Sequence, residues 1–241
     1  MRFHKNCVRD RRTRFYLPVQ RILMNHQVSG AEKLIGNLEY QTVIHYQPEP
    51  VLFPPGSSLI LDFGAAFHGG IRFNQSRSPG KIHVKFGESV SECIHTPDFD
   101  SSCRNTVLDL PNYGMTEYGN TVFRFVRIEN VSDKVIYCQN IIGVALECDL
   151  EVAGSFESSD RRLNQIWQTA VRTVHLCMQD FLYDGAKRDC CIWMGDMHPE
   201  IKGLLCAFSD VSIVRDSFEF LVHQARADQP MNQIYTYSCW F

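Results

Sequence analysis

Gly154-Ser155-Phe156-Glu157-Ser158-Ser159-Asp160 divides the chain, because the spacing of apolar residues changes across it. Downstream, Leu163, Ile166, Trp167, Ala170, Val171, Val174 and Met178 recur at helical intervals and share one face. Ser158, Ser159 and Asp160 offer N-cap candidates at the start of that helix. A second helix is predicted to begin near Pro199, which suits a first-turn position, and to bury Ile201, Leu204, Leu205 and Phe208. A third follows Asp210 and carries Val214, Phe218, Leu221, Val222 and Ala225. These stripes read as core.

Upstream the period is two. Lys81-Ile82-His83-Val84-Lys85-Phe86-Gly87-Glu88 alternates as a half-buried strand does, and Thr121 to Glu129 is rich in aromatic and β-branched residues. Ser58 to Gly64 and Gly69 to Phe73 read as two strands separated by a turn, and Val135 to Tyr137 and Ile141 to Leu146 as two more. Turn signals at Pro54-Pro55-Gly56 and Tyr118-Gly119-Asn120 punctuate the series. Many short strands between turns point to an antiparallel β-sandwich. The expected layout is therefore an extension over 1–19, a β-sandwich over 20–152 and helices over 153–241.

Composition narrows the function classes. The 241 residues carry 24 Lys and Arg against 27 Asp and Glu, so the net charge of −3 offers no broad basic face for nucleic acid. The one basic cluster, Arg9, Arg11, Arg12 and Arg14, reads as a solvated tail. No apolar run approaches the ~20 residues of a membrane span, and the charged start lacks a signal-peptide core. The ten cysteines include no C-x-x-C pair, which argues against a zinc ribbon or thioredoxin-type site. Reduced thiols in a cytoplasmic protein are the expectation, with no metal and no cofactor.

Between the first two helices lies Asp184-Gly-Ala-Lys-Arg-Asp189-Cys-Cys-Ile-Trp193-Met-Gly-Asp196. Carboxylates beside an aromatic surface are what a site needs to bind a sugar and protonate a glycosidic oxygen. The same residues also suit a solvated loop whose acids cap helices and pair with Lys187 and Arg188.

The flanking text favours the first reading. Leu61-Asp62-Phe63-Gly64 with His68-Gly69-Gly70, Phe86-Gly87-Glu88-Ser89, Gly119 through Ile128, Gly154 through Asp160, Met178-Gln179-Asp180, and Asp184 through Glu200 stand in an order that resembles bacterial α-L-rhamnosidases, family 78 of the glycoside hydrolases. The resemblance implies β-sandwich domains on an (α/α)6 barrel, and inverting hydrolysis of terminal α-L-rhamnose from a rhamnose-containing glycoside. By matching position, Asp189 is the implied general acid, Asp184 and Asp196 bind rhamnose hydroxyls, and Arg188 and Trp193 shape the pocket.

A general acid must stay protonated near neutral pH, through like charges or an apolar wall. Asp184 and Asp196 supply the first and Trp193 the second, against Arg188 and Lys187. The chain departs from the family in carrying Asp189 where many members have Glu, and Cys190-Cys191 where basic and aliphatic residues are common. An inverting enzyme also needs a base ~6.5–9.5 Å from the acid. In the family that base is a Glu far downstream in the barrel. Glu200 and Glu219 do not match its spacing and read as helix-surface residues.

The expectation is thus a truncated barrel, with the acid side of the site, no turnover, and self-association through uncovered helix stripes. The alternatives are a non-catalytic carbohydrate-binding or interaction module, or the product of an interrupted reading frame.

Overall fold

Two long strands organise the β part of the computed structural model, which describes residues 9–38, 49–77, 79–95, 105–188 and 190–224. Strand β4 (Ser58–Gln75) pairs antiparallel with β7 (Gly114–Asn130), from Ser58 opposite Glu129 to Gln75 opposite Gly114. Their other neighbours change along their length. Strand β2 (Arg21–His26) takes the first residues of β4, whereas β8 (Ile136–Cys148) takes Gly69 to Gln75. On the far side of β7, β5 (Gly80–Gly87) pairs with Phe125 to Asn130, and β6 (Asn105–Leu110) lies beyond it. Strands β1 (Arg12–Pro18) and β3 (Val51–Phe53) both flank β8.

The result is one antiparallel sheet of eight strands that forks around a shared core. The rings of Phe67 and Phe123 lie 4.4 Å apart, tilted by 55°, at its centre, and Phe63 and Phe86 pack on Phe123. Ile82, Val84 and Phe86 of β5 face this core, as their alternation predicts.

Three details of the β part differ from the sequence expectation, the first being that Tyr118-Gly119-Asn120 lies within β7 rather than at a turn. Ser58–Gly64 and Gly69–Phe73 are one strand, since the ladder with β7 shifts register between Asp62 and Phe67 and then resumes. That is a bulge, not a turn. Likewise Ile136–Cys148 runs unbroken, because β4 pairs with it through Asn74 and Asn140. The glycines at the crossing are steric necessities: a Cβ on Gly70 would lie 2.2 Å from the Tyr118 carbonyl oxygen.

The chain falls into two units, residues 14–145 and residues 146 onward, the latter joined by the described tail residues up to Thr13. The basic tail is therefore engaged rather than simply solvated. Arg11 pairs with Asp216, Arg12 with Asp10, and Arg14 reaches Glu117 at 2.9 Å in the sheet.

Among the described residues the second unit holds three helices, α2 (Arg161–Cys177), α3 (Met197–Ala207) and α4 (Ser212–Gln224), following a short α1 (Val90–Ile94) in the first. Asp160 caps α2, accepting from the Arg162 amide at 2.8 Å. Asp210 accepts from the Ser212 amide at 2.8 Å at the start of α4. Met178, Leu182, Leu204, Ala207, Phe208 and Ile213 form the main core here, with Val171 and Val174 packed on it. Ala225, expected to extend the α4 stripe, lies outside the described residues. No described helix is long and apolar enough to cross a membrane.

Candidate functional site

The connection from α2 to α3 is tied down before it reaches the acidic motif. The Leu182 amide donates to Ser217 Oγ at 3.0 Å, and that hydroxyl donates to the Ile213 carbonyl at 2.7 Å, fixing the loop to α4. The Tyr183 amide donates to the Cys177 carbonyl at 2.9 Å. Tyr183 also donates its hydroxyl to Asp180. Burial and this hydrogen bond push the phenol well above its ordinary range.

Two backbone bonds then close the motif on itself. The Asp184 amide donates to the Cys191 carbonyl at 3.1 Å, and the Cys190 amide to the Gly185 carbonyl at 2.9 Å. Ala186, Cys191, Ile192 and Met197 are buried, which anchors the loop through its apolar residues. Lys187 is buried as well, whereas Arg188 is exposed. Asp189, expected to be the proton donor, lies outside the described residues.

The carbonyl of half-buried Trp193 accepts from the Asp196 and Met197 amides at 3.1 and 3.2 Å, starting α3. Asp196 holds the N-cap position of α3, but its backbone is already helical and its side chain makes no capping bond. The capping role that an acid here commonly takes is not exercised.

Glu200 corrects the sequence reading. It is half-buried rather than a helix-surface residue, and its Oε2 is buried without a hydrogen-bond partner among the described residues. Burial, then the charges of Asp184 and Asp196, raise its carboxyl from 4.5 to about 7. Asp184 and Asp196 thus each bear on Glu200. A signal was available: Glu200 stands four residues after Asp196, one turn along the same helical face. Glu219, by contrast, is exposed on α4, as expected. Among the described residues no group of three or more His, Cys, Asp or Glu is arranged to hold a metal ion.

Residues 151–236, which contain this loop, match the family described as the bacterial alpha-L-rhamnosidase 6 hairpin glycosidase domain. The chain resembles bacterial α-L-rhamnosidases. Among solved structures, a rhamnosidase from Klebsiella oxytoca with rhamnose bound is 22% identical at a TM-score of 0.68, over 87% of this chain and 44% of its own. The family 78 rhamnosidase of Bacillus sp. GL1 is 20% identical at a TM-score of 0.60, over 76% of this chain and 20% of its own. The α-L-rhamnosidase from Dictyoglumus thermophilum is 20% identical at 0.56, over 75% and 21%. These likenesses show the fold, an antiparallel sandwich followed by the start of a six-hairpin domain. The chain spans less than half the length of each. A comparison with curated proteins finds no match.

Proposed function

We propose that this chain carries the proton-donating side of an inverting α-L-rhamnosidase-type site for terminal α-L-rhamnose. In this reading Asp189 protonates the leaving oxygen, Asp184 and Asp196 bind rhamnose hydroxyls, and Arg188 and Trp193 line the pocket. The observation that carries it is the position of the acidic loop from Asp184 to Asp196 within the segment that matches the rhamnosidase domain. Nearby carboxylates raise one another's affinity for protons, and an acidic loop of this kind suits a site that must keep one acid protonated. The water-activating base is not assigned among these 241 residues, so the chain is expected to bind sugar without turning it over. Cytoplasmic residence fits the seven described cysteines, all free thiols.

Calorimetric titration of the 241-residue chain with L-rhamnose tests the site. Asp184→Ala is expected to weaken binding about tenfold or more, the loss of one or two charged hydrogen bonds. Binding indifferent to Asp184 would place the sugar elsewhere. No release from an aryl α-L-rhamnoside is expected, and release abolished by Asp189→Asn would overturn that part.

A further inference from the structure

Strand β3 and its neighbour β8 each send one large side chain away from the core. Val51 and Phe53 are buried with Leu52 between them only half-buried, and Ile136 and Cys138 are buried with Tyr137 half-buried between them. Leu52 and Tyr137 are direct cross-strand partners, so they stand side by side on the outward face. Both line a cleft of about 420 Å³ in the β unit, within the size range of small-molecule sites.

Two walls carry the polar groups. On one side Ser29 and Leu52 exchange backbone hydrogen bonds at 3.0 and 2.9 Å, and Gly30, at φ 73°, leads into a single helical turn over Ala31–Leu34. That turn returns Lys33 to the cleft, where its ammonium donates to the Glu49 carboxylate at 2.9 Å and to the Glu49 carbonyl at 3.2 Å. On the other side the Ser76 amide donates to the Tyr137 carbonyl at 2.9 Å, and Arg77 follows with φ 68°. A left-handed backbone strains an Arg, and strain kept at the edge of a cleft points to a use for the side chain. The Arg77 guanidinium lies over the Tyr137 ring, 5.7 Å from its centre.

An apolar floor with charged walls selects the occupant. A wholly apolar ligand would strip water from Lys33, Glu49 and Arg77 without replacing its hydrogen bonds. A small anion would meet the Glu49 carboxylate beside the two cations. A pyranose ring suits both surfaces. Its C–H face packs on Tyr137 and Leu52, while neighbouring hydroxyls find a donor in Lys33 and an acceptor in Glu49. We propose that this cleft is a neutral-saccharide subsite, built without any residue of the acidic loop. Tyr137 is its platform, and Arg77 and the Lys33–Glu49 pair are its hydrogen-bonding groups. The choice of a sugar among hydroxylated rings rests on the rhamnosidase reading above.

Nitrogen-15 NMR titration of the 241-residue chain with L-rhamnose reads the cleft residue by residue, even at weak affinity. The amides of Lys33, Leu52 and Tyr137 are expected to shift and saturate. Lys33→Met is expected to weaken this binding about tenfold, the scale of one charge-assisted hydrogen bond. Arg77→Gly separates binding from folding. Glycine adopts this backbone without strain, so the variant is expected to unfold at a urea concentration similar to the wild type while its affinity falls about tenfold. A merely structural Arg77 would leave the affinity where it was.

Cleft amides that ignore L-rhamnose overturn the proposal, as does a response to D-glucuronate alone, which would make the site one for anions. So does a response left intact by both Lys33→Met and Arg77→Gly. The two sugar readings fail separately. A response at Leu52 and Tyr137 that survives Asp184→Ala upholds the cleft whatever the acidic loop does. Calorimetric binding lost in Asp184→Ala, with the cleft amides silent, upholds the loop and sinks the cleft.

Discussion

Asp62 and Glu200 are both carboxyls withdrawn from water, and their neighbours send them in opposite directions. Burial raises the Asp62 carboxyl, but Arg124, the Gly64 amide and Arg21 outweigh it and hold it at about 2. The contacts are direct: Arg124 Nε at 2.8 Å, the Gly64 amide at 2.7 Å and Arg21 Nε at 3.0 Å. A depressed carboxyl stabilises the fold above its unfolded value, near 3.8, and that contribution is lost as pH falls toward about 2. Urea unfolding across that window is expected to show the loss in the wild type and a flatter profile in Asp62→Asn. At neutral pH the same variant is expected to cost about 2 kcal/mol, from charged hydrogen bonds left half-made. An unchanged acid profile would remove Asp62 as the source. At this scale the sequence was uneven. A family pattern points to Asp184, Asp196 and Trp193 as proposed site residues, whereas Glu200 does not match the spacing of a general base and its burial is seen only in the fold.

Elements were more legible than their joins. Alternation placed Ile82, Val84 and Phe86 inward, and helical spacing with Asp160 located α2. The merging of two expected strands into β4 was not legible, because Gly64 and Gly69 carry a turn-like composition while the partner that restores the ladder, β7, is far away in sequence. Gly154 illustrates a join that composition marks but cannot explain. The Ala153 and Gly154 amides both donate to the Ala207 carbonyl, at 2.8 and 3.0 Å, giving a partner to the end of α3. A Cβ on Gly154 would lie 1.8 Å from the Cys206 carbonyl oxygen. Gly154→Ala is therefore expected to prise this segment off α3 and to destabilise the helical unit by about 2 kcal/mol or more. Hydrogen exchange locates the damage: amides near the end of α3 should lose protection while those of β4 and β7 keep theirs. Equal losses in both would point to a different cause.

At the scale of the molecule, the apolar stripes of the helices encode more contact than the described helices make. Sequence spacing read each stripe as core, yet α2 has no fully buried residue. Leu163 is 45% exposed and Ile166 55%, with Leu205 at 58% on α3 and Val222 at 47% on α4. The C-terminal half of the α2 stripe does reach the core, through Val171 and Val174. The stripe is thus a genuine packing face whose first turns have no cover among the described residues. Contiguous exposed apolar surface drives association, and we expect the 241-residue chain to self-associate through the start of α2. Sedimentation velocity should show mass rising with concentration. Leu163→Lys with Ile166→Glu is expected to return the chain to monomer, because charges on that face must be desolvated to dock. Circular dichroism should be unchanged, since neither side chain packs in the helical core. Association that survives both substitutions would move the sticky surface to α3 or α4, where Leu205 and Val222 are the next residues to change.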